Sequence, residues 1–266
     1  MSNSTTLILE LKKVQKSFRG NVVLDIRHLK FHKGTIYGIV GPPGCGKSSL
    51  MKILSGYETP SKGEALYDNA PFSKSFLGKP VSPEDLFLVN NLKVKRSLVT
   101  KLFKKSNANQ LLSNYFTSSS AEKVVNTNFS NLSKGEKNAV LLTLGIDADP
   151  RVMLVDDYGI YFDNAMEQKF RKKIVSINKD HGTTVVLSSP NEKILKNFCS
   201  VLIYLDNGHI SKIRTGSHKN PNNEKRKPRR YQNSKRRGYR GRDKKWYLAK
   251  DMNQYQMSLR ESEFLS

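Results

Sequence analysis

Residues Gly41-Pro42-Pro43-Gly44-Cys45-Gly46-Lys47-Ser48-Ser49 bring three chemistries into one short stretch: flexible backbone, an ammonium and hydroxyls. That set suits a nucleoside triphosphate. Gly44 and Gly46 let consecutive N–H groups turn onto phosphate oxygens, Lys47 places positive charge near the β and γ phosphates, and Ser48 offers an oxygen to Mg²⁺. Lys47 therefore counts as both a binding and a catalytic candidate. The same string could be an ordinary Gly-Pro turn, so its context decides. An apolar strand, Ile36-Tyr37-Gly38-Ile39-Val40, precedes it, and a helix starting near Lys47 adds the positive end of its dipole.

The elements that must hold this loop follow from the hydrophobic pattern. Residues 7–14 and 22–30 alternate as strands do, and a Lys33-Gly34 turn leads into a strand over 35–40. Residues 48–55 read as a helix closed by Gly56, and a turn over 58–63 precedes a short strand at 64–67. A polar, poorly periodic stretch covers 68–83. From 91 to about 123 the apolar positions Leu92, Val94, Leu98, Leu102, Phe103, Leu111 and Leu112 favour helices, as an insertion into the body. A helix over 137–146 leads to the apolar run Val152-Met153-Leu154-Val155, which suits a buried parallel strand. Asp156 and Asp157 sit at its C-terminal end, where active groups of open α/β sheets gather. A helix at 165–177, a strand at 183–189, a helix at 192–198 and a strand pair around Asn207-Gly208 complete the body by about residue 215.

Composition bounds the class. The chain has 266 residues, 37% of them hydrophobic, enough for a real core, and its apolar runs fall short of the roughly 20 residues that cross a bilayer. Its first six residues lack the basic start and apolar core of a secretory signal, so the expected compartment is the cytoplasm. Cys45 and Cys199 are the only cysteines, too few for a disulfide framework or a zinc site. The net charge of +23 is uneven: residues 219–250 hold fourteen Lys or Arg against Glu224 and Asp243. Such a surplus attracts phosphate-rich partners.

Taken together, the loop at 41–49, Leu132-Ser133-Lys134-Gly135-Glu136 and the strand ending in Asp156-Asp157 resemble the ATP-binding cassette of ABC transporters. The resemblance covers roughly residues 7–215. It implies an α/β fold in which a P-loop NTPase core carries an antiparallel β subdomain and an inserted helical subdomain. The ATP-binding domain would span 1–216, with the helical part at about 85–135, and 217–266 would be a basic tail. The resemblance further implies that Phe18 stacks on adenine, that residues 41–49 cradle the phosphates, and that Ser48 and Asp156 hold Mg²⁺. Residues 132–136 would reach the γ-phosphate held by an opposing cassette. As a local string they also read as a helix start, with Ser133 as cap and Glu136 three residues on. Implied partners are a second cassette, identical or not, and a transmembrane permease, with the chain peripheral at the inner face of the cell membrane.

Three positions depart from the family, all in the machinery of hydrolysis. Asp157 stands where a Glu usually polarises the attacking water, and its side chain is shorter by one methylene. That withdraws the carboxylate by roughly 1 to 1.5 Å, and a misplacement of about 1 Å costs on the order of 10²-fold in rate. Pro190 stands where the family has a switch histidine, and it offers neither imidazole nor N–H. The family's magnesium-touching glutamine falls near Glu84 in one alignment, with Asn90 as its rival. The expected enzyme is an ATPase that binds normally and turns over slowly.

The tail interleaves Tyr231, Tyr239, Trp246 and Tyr247 with Lys and Arg. This composition is disordered in isolation and suits RNA, where rings stack on bases, or an anionic lipid surface; a solvated tail with no dedicated partner is the third reading. It also supports an alternative function, a soluble ABC-type nucleotide switch acting on RNA or ribosomes.

Overall fold

The computed structural model describes residues 6–78, 80–89 and 108–216. The first alternating segments form an antiparallel hairpin of β1 (Leu7–Phe18) and β2 (Asn21–His32). It closes over Arg19-Gly20, both at positive φ, the geometry whose twist matches that of paired strands. β4 (Lys62–Tyr67) pairs on the other side of β1, and β5 (Ala70–Pro71) follows it through Asp68-Asn69, giving the order β2-β1-β4-β5.

The second sheet contains β3 (Ile36–Val40), β6 (Leu86–Val89), β7 (Val152–Val155), β8 (Thr184–Ser189), β9 (Val201–Asp206) and β10 (His209–Thr215). Its order is β10-β9-β3-β8-β7-β6, all parallel except β10, which runs antiparallel to β9. Strands β3, β6, β7 and β8 are buried along their whole length. Their alternation sends Ile39, Leu88, Leu154 and Val186 into a core shared with α1 (Lys47–Leu54) and the antiparallel sheet. Val40, Val89, Val155 and Leu187 enter the core on the opposite face.

That second core is covered by the helices α2 (Ala108–Ser113), α3 (Ser118–Asn126), α4 (Lys134–Asp147), α5 (Asn164–His181) and α6 (Glu192–Lys196), with a 3₁₀ turn at Phe129–Asn131. Caps set their limits. Asp163 accepts from the Met166 N–H at 2.7 Å to start α5, and Gly182 in the left-handed region ends it.

The sequence-based order of elements agrees with this architecture, with two corrections. Residue 85 does not begin the helical insertion: Leu86–Val89 form the edge strand of the parallel sheet, each residue buried and paired with β7. α4 begins at Lys134, three residues earlier than periodicity suggests, because Ser133 caps it. Of the expected helical stretch, residues 90–107 lie outside the described residues, as does the basic segment from 217 onward.

The two sheets are tied by charge at the edge away from the phosphate loop. Asp68, in the β4–β5 turn, meets Lys33 at 2.8 Å and Arg151 at 2.9 Å, the residues leading toward β3 and into β7. Burial raises the Asp68 pKa, but hydrogen bonds from Lys33 and Arg151 outweigh it and hold it below the ordinary 3.8. A depressed carboxylate pKa stabilises the fold above the unfolded value and loses that contribution as pH falls through the folded one. Asp68→Asn, which keeps the turn propensity, should therefore lower thermal stability at pH 7 by up to about 1 kcal/mol per lost pair. Melting curves of both proteins should converge below the ordinary aspartate pKa.

Candidate nucleotide site

The phosphate loop leaves the C-terminal end of β3 and enters α1 through Gly46, whose φ of 102° lies in the left-handed region. A Cβ at Gly46 would come within 2.8 Å of the Leu24 side chain and 2.9 Å of the Val23 carbonyl, so only glycine fits both space and backbone. No side chain caps α1. Its first-turn N–H groups are thus left for an anion. Lys47, only 6% exposed, donates from Nζ to the carbonyls of Gly41 at 2.7 Å and Pro42 at 2.8 Å, which places its ammonium inside the loop. Pro42, Pro43, Gly44 and Ser48 are exposed, whereas Gly41 and Cys45 are buried beneath them. Gly208, in the β9–β10 turn, braces the loop from behind. Its N–H donates to the Cys45 carbonyl at 3.1 Å, and its carbonyl accepts from the Asp25 N–H at 2.9 Å.

Asp156 and Asp157 follow β7 at the same edge of the sheet. The Asp156 N–H donates to the Val89 carbonyl at 2.9 Å, and Asp157 adopts a left-handed φ of 55°. Ser188, a residue that sequence reasoning passes over as part of a strand, joins the two acids. Its hydroxyl donates to Asp156 Oδ1 at 2.5 Å and accepts from the Asp157 N–H at 3.0 Å. Burial first, then the neighbouring Asp156 charge, raise the Asp157 pKa, while the Lys47 ammonium pulls it down. That opposing pull ties Asp157 electrostatically to the phosphate loop.

The remaining candidates divide. Phe18, at the end of β1, is 44% exposed with the Lys16 ammonium 4.9 Å from its ring centre, so it is not core packing. Leu132 is buried and anchors the segment behind it. Ser133 and Glu136 make a full capping box, in which Ser133 Oγ accepts from the Glu136 N–H at 3.2 Å and Glu136 Oε2 accepts from the Ser133 N–H at 2.8 Å. These bonds also lower the Glu136 pKa. Lys134 is exposed, and a Cβ on Gly135 would approach the Tyr161 carbonyl to 2.8 Å. No hydrogen bond among the described residues joins this segment to 41–49 of the same chain.

Glu84 is a correction. It precedes β6, and β6 runs parallel to β7, so Glu84 lies at the sheet edge opposite Asp156. Strand length, about 3.3 Å per residue, keeps it from sharing an ion with Asp156. Asn90, its rival, follows Val89 in the chain and lies outside the described residues. Pro190 follows β8, and Asn191 beside it spends its side chain accepting from the Lys193 N–H at 3.1 Å.

Comparison with known sequences bears on this arrangement. The sequence pattern of the family described as ABC transporter matches residues 24–158, just over half of the chain. The chain belongs to the ABC transporter family. Among the relatives of this cassette is the spermidine/putrescine import ATP-binding protein PotA of Mesoplasma florum, 25% identical over 215 residues, which cover 78% of the chain and 61% of that protein. Another is the tungstate uptake system ATP-binding protein TupC of Peptoclostridium acidaminophilum, 24% identical, covering 76% of the chain and 96% of that protein. The chain thus spans about 60% of the length of its PotA relatives. The fold agrees with solved cassettes. The dimeric structure of a bacterial ABC transporter cassette superposes with a TM-score of 0.65 at 20% identity, covering 78% of the chain and 98% of that cassette.

The steric and backbone demands at Gly46 give a direct test. Gly46→Ala should weaken ATP binding about 5- to 150-fold, because strain of about 1–3 kcal/mol falls on the loop itself. Titration with a fluorescent ATP analogue reads this, and a wild-type affinity in Gly46→Ala would contradict the geometry.

Proposed function

We propose that this chain is the ATP-binding subunit of an ABC transporter, binding ATP and Mg²⁺ at an interface between two cassettes to drive a membrane permease, with weak hydrolysis. The observation that carries the reading is the buried Lys47 ammonium, held inside an uncapped loop at the sheet edge that also bears Asp156 and Asp157. The residues fit magnesium. Ser48 and Asp156 are hard oxygen donors, and this ion binds through one or two carboxylates together with substrate phosphates. Bound there, it would neutralise charge on the β and γ oxygens. The exposed Ser133 and the half-buried Gly135 would serve the nucleotide of the opposing cassette, which gives the second subunit a chemical role. The names of the relatives, import and uptake ATP-binding proteins, support coupling to a permease. No helix among the described residues is long and apolar enough to cross a membrane, so the permease would supply the spanning part. The chain would then sit at the cytoplasmic face through that partner.

Hydrolysis needs a carboxylate that orients and deprotonates water, and Asp157 would be that group. Its short side chain and the absence of a donor at Pro190 make turnover slow while leaving affinity intact. Residues 219–250 favour a further contact with RNA or anionic lipid, and a soluble RNA-directed switch is the competing reading.

Co-purification from detergent-solubilised membranes separates the two readings: a multi-span partner supports transport, whereas ribosomal RNA without such a partner refutes it. Asp157→Glu should raise single-turnover phosphate release by about 10- to 100-fold, with ATP affinity unchanged, as reach is restored. Asp157→Asn should abolish the residual rate. Deleting residues 219–266 should leave ATP affinity unchanged.

A further inference from the structure

We infer that Ser188 is the positioning residue of the carboxylate pair, fixing which oxygen of Asp156 faces the metal; this rests on the magnesium role proposed for Asp156. Three consecutive residues are fastened to Ser188. Its hydroxyl donates to Asp156 Oδ1 and accepts from the Asp157 N–H, and its carbonyl accepts from the Tyr158 N–H at 2.7 Å. Ser188 is fully buried, so its proton has a single direction. The Asp157 N–H already fills one lone pair, and the O–H must point at the Asp156 carboxylate. One Asp156 oxygen is consumed in this way, which leaves the other for the metal.

The turn needs such fastening. Asp157 is a non-glycine residue at a φ of 55°, a conformation that persists only where its surroundings over-determine it. Neighbouring groups on β8 do not serve. Ser189 Oγ accepts from the Asn191 N–H at 3.3 Å, Pro190 has no donor, and the Asn191 side chain caps α6. Ser188 is therefore the side chain by which β8 reaches the acids. Outer hydrogen-bond partners of metal ligands commonly change metal affinity by 10- to 100-fold when removed. Ser188 holds that place for Asp156.

The test uses Mn²⁺ in place of Mg²⁺, followed by electron paramagnetic resonance on the full-length protein with ATP. Ser188→Ala should weaken Mn²⁺ binding to the protein–ATP complex about tenfold while leaving ATP affinity in EDTA unchanged. Ser188→Thr, which keeps the hydroxyl, should restore wild-type Mn²⁺ affinity. A merely structural serine would lower both affinities together or neither. Should Ser188→Ala fail to fold, Ser188→Cys preserves the volume with a much weaker donor and should show the same selective loss. Wild-type Mn²⁺ affinity in either folded variant overturns the inference. If the wild-type protein binds ATP in EDTA but shows no ATP-dependent Mn²⁺ signal, the metal role of Asp156 falls, and this inference with it; if it binds no ATP at all, the nucleotide reading itself fails.

Discussion

The parallel register of β3, β8, β7 and β6 is the constraint on which the rest depends. Val40 pairs with Ser189, Val155 with Leu187 and Val89 with Val155, so all four strands end at the same edge, β6 and β7 two residues short of β3 and β8. Everything with chemical potential emerges there: the phosphate loop from β3, the acids from β7, and Ser188 with its neighbours from β8. Register in such a sheet is specified twice, because both faces are buried. A slip of one residue would exchange the side chains of the two cores, carrying Leu154 toward the helices and Val155 toward α1. The site is thus positioned by aliphatic packing well away from any ligand.

The loop itself satisfies a second constraint, the burial of a charge. An ammonium withdrawn from water must find acceptors, and Lys47 takes the Gly41 and Pro42 carbonyls. A triphosphate entering the loop competes with these carbonyls for the ammonium. It prevails because an ionised oxygen is the stronger acceptor. The carbonyls keep Lys47 in place between nucleotides, so little side-chain entropy remains to be lost on binding. The brace from Gly208 extends this stiffness to the antiparallel sheet, since the same glycine bonds Asp25 of β2. Phe18 lies at the far end of that hairpin, so a base and a triphosphate would be read by the two sheets jointly.

Local chemistry was the most legible in sequence. The phosphate loop declares itself because left-handed positions demand glycine and the flanking strand and helix are strongly patterned. Capping made Ser133 and Glu136 equally visible. What sequence could not show is which edge of a sheet a residue occupies. Glu84 lies only two residues before the strand Leu86–Val89, at the end of that strand away from Asp156. The strand escaped notice because Pro83 and a polar stretch precede it and its four apolar residues are too few to show a period. Ser188 was hidden for the opposite reason. It continues an apolar strand without a break, and its value comes from residues 156–158, remote in sequence and adjacent only through β7 and β8 pairing.

Binding and hydrolysis place different demands on sequence, which explains why one half of this site matches its family and the other departs. Phosphate is held largely by backbone N–H groups and a helix terminus, features set by glycine conformation and strand order and indifferent to most side-chain changes. Water attack depends on side-chain reach, where one methylene decides. In its proposed role Asp157 is disadvantaged by reach, because its arm is short. In that role a longer side chain at position 157 would reach the water. Under the proposed role of Asp157, turnover is therefore limited by the reach of one side chain, and a partner cassette whose own site is complete would carry the chemistry.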